Sequence, residues 1–240
     1  MQATDAMVRE MVRKRHRRRR TLLVSLLAAV VVVGAALVGV GLVRASNTMP
    51  DKVPGTVPAQ ATDDKAGLLA STGKVRVDLY LDYLCPECRN TEKALAGELK
   101  TLQASGDVSV VYHPVTFLDN RSSPAGYSTR AASAAACAVE QGRYEEYTTV
   151  LFDRQPAERG PGLSEDQLIA AGRDAGITGA AFEECVRAGT YTPWVRYVSD
   201  VAASRKVALT PTVTVNGKRV EVTGADAVAT LTRAVAEARG

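Results

Sequence analysis

The chain has little of what metal and nucleotide sites are usually built from. Of its 240 residues only two are histidine, His16 and His113, one is tryptophan, and aromatic residues make up 5%. No glycine-rich phosphate loop and no flavin or nucleotide signature occurs, so no cofactor is expected. There is no internal repeat and no recognisable dimerisation module. Cysteine is absent from the first 84 residues, and the four that follow are Cys85, Cys88, Cys137 and Cys185. A structural zinc site needs four ligands, usually as two close pairs. Cys137 and Cys185 stand 48 positions apart, and neither histidine supplies a paired partner, so no metal is expected.

Charge is missing altogether from Thr21 to Val43, "TLLVSLLAAVVVVGAALVGVGLV". As a helix this run would extend roughly 35 Å, enough to cross a hydrocarbon core of roughly 30 Å with some tilt. Before it, residues 1–20 carry eight Lys and Arg against Asp5 and Glu10, a net of +6. The whole chain is only +4, so the other 220 residues net −2. A basic cluster alone could mark a nucleic-acid patch. Beside an apolar span it reads instead as the cytoplasmic flank of a membrane anchor, and no nucleic-acid partner is expected. A cleaved signal peptide would have an apolar region of roughly 7–15 residues ending in an A-x-A-like site, and "VRASN" at 43–47 matches that poorly. The expected layout is a basic cytoplasmic tail (1–20), a single-pass anchor (21–43), an extracytoplasmic linker (44–64) that is Pro-rich and unstructured, and a folded domain (65–240). All four cysteines then lie outside the cell membrane, where disulfides persist.

Within the domain, "AGLLAS" at 66–71 is a candidate short strand. "KVRVDLYLDY" at 74–83 alternates as a strand does, and "CPECRNTEKALAGELKTLQAS" follows with Leu95, Leu99 and Leu102 at helical spacing. A second strand is expected at 108–115, then helices near 126–141, 143–153, 164–175, 179–188 and 191–206. Ser164 and Thr178 look like N-caps. Residues 210–222 read as a hairpin turning at Asn216-Gly217, and a final helix closes the chain.

Cys85 and Cys88 therefore fall where a strand feeds a helix, with Pro86 at the first helical position, where its missing N–H is not needed. A helix N-terminus stabilises thiolate, which assigns Cys85 the nucleophile role and Cys88, a turn deeper, the resolving role. A purely structural Cys85–Cys88 bridge is the bland alternative. Asp82, ending the strand, is placed to move protons for Cys88, whereas His113 reads as a loop or core-edge residue. Cys137 and Cys185 sit in apolar helical contexts and read as a structural disulfide, which would close a loop of about 49 residues worth about 4 kcal/mol. Trp194, behind Pro193, reads as a packing anchor.

"DLYLDYLCPECR" together with "ALTPTVTVNG" resembles the DsbA-like branch of the thioredoxin superfamily in its membrane-anchored bacterial form, over about residues 66–240. The resemblance implies an α/β thioredoxin-like fold with a helical insertion at about 122–207, preceded by one transmembrane helix. It also implies that Pro211, after Thr210, is a cis-proline facing the Cys-Pro-Glu-Cys motif and offering Thr210 to a substrate strand. The implied function is extracytoplasmic thiol-disulfide exchange that forms disulfides in reduced or unfolded exported proteins, with re-oxidation by a membrane partner. A reductase or isomerase of the same fold is the nearest alternative, although an isomerase commonly needs a dimer. A redox-inert, membrane-tethered binding or chaperone module is another. Glu87 departs from the Cys-Pro-His-Cys of strong oxidases. Its carboxylate either raises the Cys85 pKa and lowers the oxidising power, or points into solvent and shifts little.

Overall fold

The computed structural model describes residues 52–240. The basic tail, the apolar span and the first part of the linker lie outside the described residues. Among those described, no helix is long and apolar enough to cross a membrane.

The sheet has five strands: β1 (Leu68–Leu69), β2 (Val75–Leu81), β3 (Val108–Pro114), β4 (Thr212–Val215) and β5 (Lys218–Val220). Their order across the sheet is β1-β3-β2-β4-β5. β2 and β3 pair in parallel from Val75↔Val108 to Leu81↔Pro114, and the parallel pair requires a crossover, which α1 (Pro86–Ala104) supplies. β4 runs antiparallel to β2, and β5 returns along β4. Asn216 and Gly217 make that turn with φ of 47° and 77°, the left-handed pair a two-residue hairpin needs. Every residue of β2 except Arg76 is buried, as expected of a strand covered on both faces. Leu95, Leu99 and Leu102 of α1 are buried, each worth roughly 1.5–3 kcal/mol of apolar transfer.

Between β3 and β4 the chain makes the helical insertion: α2 (Tyr127–Val139), α3 (Tyr144–Asp153), α4 (Glu165–Asp174), α5 (Ala180–Ala188) and α6 (Thr192–Ser204). α2 is central. All of its residues but Arg130 are buried, and its run of alanines lets α3, α5 and α6 approach closely. Cys137 of α2 is bonded to Cys185 of α5. Trp194 is fully buried, and its indole Nε1 donates to the Lys65 carbonyl at 2.7 Å. The last helix, α7 (Ala227–Ala238), packs against α1 and the sheet.

Three expectations need correction. The segment up to residue 64 is not an unstructured linker throughout. Pro58 and Thr62 are buried, Ala61 bridges to Leu68, and the Asp64 carbonyl accepts from the Tyr197 hydroxyl at 3.0 Å. His113 is neither in a loop nor at the core edge. It lies in β3, fully buried, stacked on Tyr80, with Nδ1 donating to the Ala66 carbonyl at 2.6 Å and Nε2 meeting Asp78 Oδ1 at 2.8 Å. Burial works to raise the Asp78 pKa, but its bonds to His113 and Arg76 hold it at about 2. Gly67 is required beside that ring, because a Cβ there would lie 2.7 Å from it. At α5 the N-cap is Gly179 rather than Thr178, and it has no side-chain cap bond. Ser164 does form a capping box, with Gln167.

Candidate active site

The C-terminal end of β2 delivers the chain into a tight turn, Asp82 to Cys85, closed by the Cys85 N–H donating to the Asp82 carbonyl at 3.0 Å. Cys85 is the N-cap of α1 with extended backbone (φ −78°, ψ 117°), and Pro86 starts the helix. The Cys85 carbonyl accepts the first helical bonds, from Cys88 N–H at 3.1 Å and Arg89 N–H at 3.3 Å. The N–H groups of Glu87 and Cys88 in this first turn also support the Cys85 sulfur.

Cys85 and Cys88 stand as free thiols. The neighbouring Cys88 thiol contributes most to lowering the Cys85 pKa. Burial opposes it, and the backbone N–H of Cys88, the Thr210 side chain and the N–H of Glu87 add to it, bringing the pKa to about 6. Cys88 moves the other way. It is fully buried, which raises its pKa well above the ordinary thiol value, and proximity to Cys85 raises it further. The two sulfurs therefore differ as an attacking group and a leaving group differ. From the opposite loop, the Thr210 carbonyl accepts from the Cys85 thiol at 3.4 Å, and the Thr210-Pro211 peptide bond is cis.

Glu87 is exposed, and its carboxylate accepts a long bond from Asn90 at 3.4 Å. It is the backbone N–H of Glu87, not its carboxylate, that supports the Cys85 thiolate. Asp82 lies beneath the motif with no solvent exposure, and its backbone N–H donates to Cys88 Sγ at 3.4 Å. Its carboxylate accepts from Leu84 N–H at 2.9 Å, from the Ser128 hydroxyl of α2 at 2.7 Å and from Leu118 N–H at 2.9 Å. Burial outweighs these bonds and raises its pKa to about 6.

That shift has a thermodynamic consequence. A carboxyl whose folded pKa lies above its unfolded value stabilises the fold fully below about pH 4, and that contribution is lost as pH rises through about 6. In the oxidised protein, where the cysteines do not titrate, the stability of wild type relative to Asp82→Asn should fall by roughly 2.5 kcal/mol between pH 4 and pH 8. Urea melts at the two pH values measure this. A constant difference would mean that Asp82 titrates as an ordinary carboxyl.

Two partners of this site leave no mark in the sequence. Ser128 belongs to an alanine-rich helix 46 positions from Asp82, and Gln155, in the loop after α3, reaches back 70 positions to the motif. No local pattern could have flagged either one.

A family model described as thioredoxin matches residues 70–236. The chain belongs to the thioredoxin family. Among solved structures it is similar to the reduced form of the disulfide bond oxidoreductase DsbG from Mycobacterium tuberculosis. The identity is 31% and the TM-score 0.60, over 75% of this chain and 86% of that one. It is also similar to reduced DsbA from the same organism, with 30% identity and a TM-score of 0.60 over 80% of this chain and 89% of that one. Among curated proteins it is similar to the serine/threonine-protein kinase PknE of Mycobacterium tuberculosis, 29% identical over 119 residues. That stretch is 48% of this chain and only 21% of the kinase. The chain thus sits on the DsbA-like branch of the family, as a protein thiol-disulfide oxidoreductase with a helical insertion.

Proposed function

We propose that this oxidoreductase acts outside the cytoplasm as a dithiol oxidase, forming disulfides in exported proteins through Cys85 and Cys88. The observation that carries the reading is the split between the two thiols, with Cys85 lowered to about 6 and Cys88 raised. A disulfide whose reduced form is stabilised as a thiolate is a good oxidant, because reduction relieves it.

In the oxidised enzyme, a substrate thiolate attacks Cys85 Sγ and displaces Cys88, whose departing thiolate takes up a proton. Asp82, whose backbone N–H meets Cys88 Sγ, is read as the source of that proton. The mixed disulfide at Cys85 is then attacked by a second substrate thiolate. A substrate disulfide forms, Cys85 leaves as thiolate, and two electrons rest on the enzyme dithiol. Re-oxidation needs a two-electron acceptor, assigned here to a membrane redox partner. The Thr210-Pro211 loop beside Cys85 is read as the edge against which an extended substrate segment lies. Pro86 and Glu87 contribute the helix start and a supporting backbone N–H, and the Cys137–Cys185 bond holds the insertion together. The layout completes the picture: tail inside (1–20), span (21–43), then linker and domain outside. The basic flank and the apolar run support that topology.

The test is stoichiometric. Mixed with a reduced, unfolded dithiol protein, the oxidised domain should remove two substrate thiols for each Cys85–Cys88 dithiol it gains. Substrate thiols that persist while the domain stays oxidised would refute the oxidase reading.

A further inference from the structure

The helical insertion grips the active-site turn along one face of a single helix. Tyr144, Thr148 and Phe152 of α3 recur every fourth residue and so lie on one side, and Gln155 follows in the loop just past the helix end. All four meet the same short stretch. The Tyr83 hydroxyl bonds the Thr148 hydroxyl at 2.9 Å and the Tyr144 hydroxyl at 3.4 Å, and its ring packs on Phe152 with centroids 5.1 Å apart. Gln155 takes hold of the backbone. Its Nε2 donates to the Tyr83 carbonyl at 3.0 Å and to the Cys85 carbonyl at 2.9 Å, which uses both amide protons on carbonyls two residues apart.

The geometry points to Gln155 as a positioning residue for the nucleophile: its amide clamps the Tyr83–Cys85 turn so that the Cys85 carbonyl faces the insertion and the helix N–H groups face the Cys85 sulfur. The inference rests on the assignment of Cys85 as the attacking thiol.

Cys85 sits outside the helix with ψ 117°, and its carbonyl is held by the first helical bonds and by Gln155. The N–H groups of Glu87 and Cys88 support the thiolate only while that peptide keeps its orientation. Without the clamp, the carbonyls of Tyr83 and Cys85 lose a donor and the turn can rock its oxygens toward the sulfur, which disfavours a thiolate. The titratable groups around the sulfur are Cys88 beside it, Asp82 beneath the motif and the exposed Glu87. None of them touches Gln155, so loss of its amide acts through the backbone. Gln155 itself is anchored by its own N–H donating to the Phe152 carbonyl at 3.3 Å, in the last turn of a helix whose Leu151 and Phe152 are fully buried.

The experiment compares the full-length protein with its Gln155→Met variant, which keeps the bulk and removes both donors. Gln155→Ala removes them without a new side chain, for use if the methionine variant fails to fold. The readouts are the thiolate absorbance of Cys85 against pH and its alkylation rate by iodoacetamide at pH 5, with the thermal midpoint as a folding control. The expected result is an upward move of the Cys85 titration by about half a unit or more, which lowers the rate at pH 5 roughly threefold or more, with folding retained. An unchanged titration and rate in a folded variant would overturn the inference. If the unsubstituted protein is alkylated first at a thiol other than Cys85, the nucleophile assignment itself fails, and this inference fails with it.

Discussion

Replacing Cys85 by serine should abolish oxidation of a dithiol substrate, lowering the rate roughly a thousandfold or more, the scale on which loss of a covalent nucleophile registers. The fold should survive, because serine is nearly isosteric and Cys85 makes no side-chain helix cap. What is lost is a sulfur that accepts two electrons and leaves as a thiolate near neutral pH. A hydroxyl does neither. The companion change, Cys88→Ser, should behave differently: Cys85 still attacks a substrate disulfide, but no second thiol resolves the product, and the mixed disulfide accumulates. Non-reducing gels with a disulfide-bonded substrate separate the two variants. Full activity in Cys85→Ser would reassign the chain to a tethered binding module.

The second large effect falls on stability. Converting Cys137 and Cys185 together to alanine should cost about 4 kcal/mol, because the bond between α2 and α5 closes a loop across a separation of 48 residues. For a domain of this size that corresponds to a fall in thermal midpoint of roughly 8–15 °C. Cys137 is buried in the centre of the insertion, so alanine adds little strain there. The Cys85 thiolate titration should remain in place, since the bridge belongs to the insertion and not to the motif. Calorimetry of the double variant measures the first point, and its thiolate absorbance against pH measures the second. A midpoint within a degree or so of wild type would show that packing alone holds α2 to α5.

The pattern of residues carried the core of this fold. Alternation marked β2, the leucine spacing of α1 marked its buried face, Pro86 marked the helix start, and Asn216-Gly217 marked the hairpin. These are local signals, each set by a few neighbouring residues. His113 reads from sequence as a loop or core-edge residue because a lone histidine near a strand end carries no local sign of a buried carboxylate 35 positions away, Asp78. The packing of residues 58–64 was missed because prolines and polar side chains look like linker. Their bonds go to α6 and to the end of α2, as when Glu140 accepts from the Ala59 N–H at 3.0 Å. Ser128 and Gln155 were invisible for the same reason. Glu87 shows the limit in another form: its identity was plain, but only the structure places its carboxylate in solvent and its N–H against the sulfur.

The central claim is that the Cys85–Cys88 pair donates its disulfide. The reduction potential of that pair tests it most directly, measured on residues 50–240 in glutathione buffers with Cys137 and Cys185 left bonded. A thiolate held at Cys85, with the Glu87 carboxylate in solvent, predicts a value of about −120 to −180 mV, in the range of disulfide donors. A value near or below about −250 mV would make the protein a reductase and contradict the account.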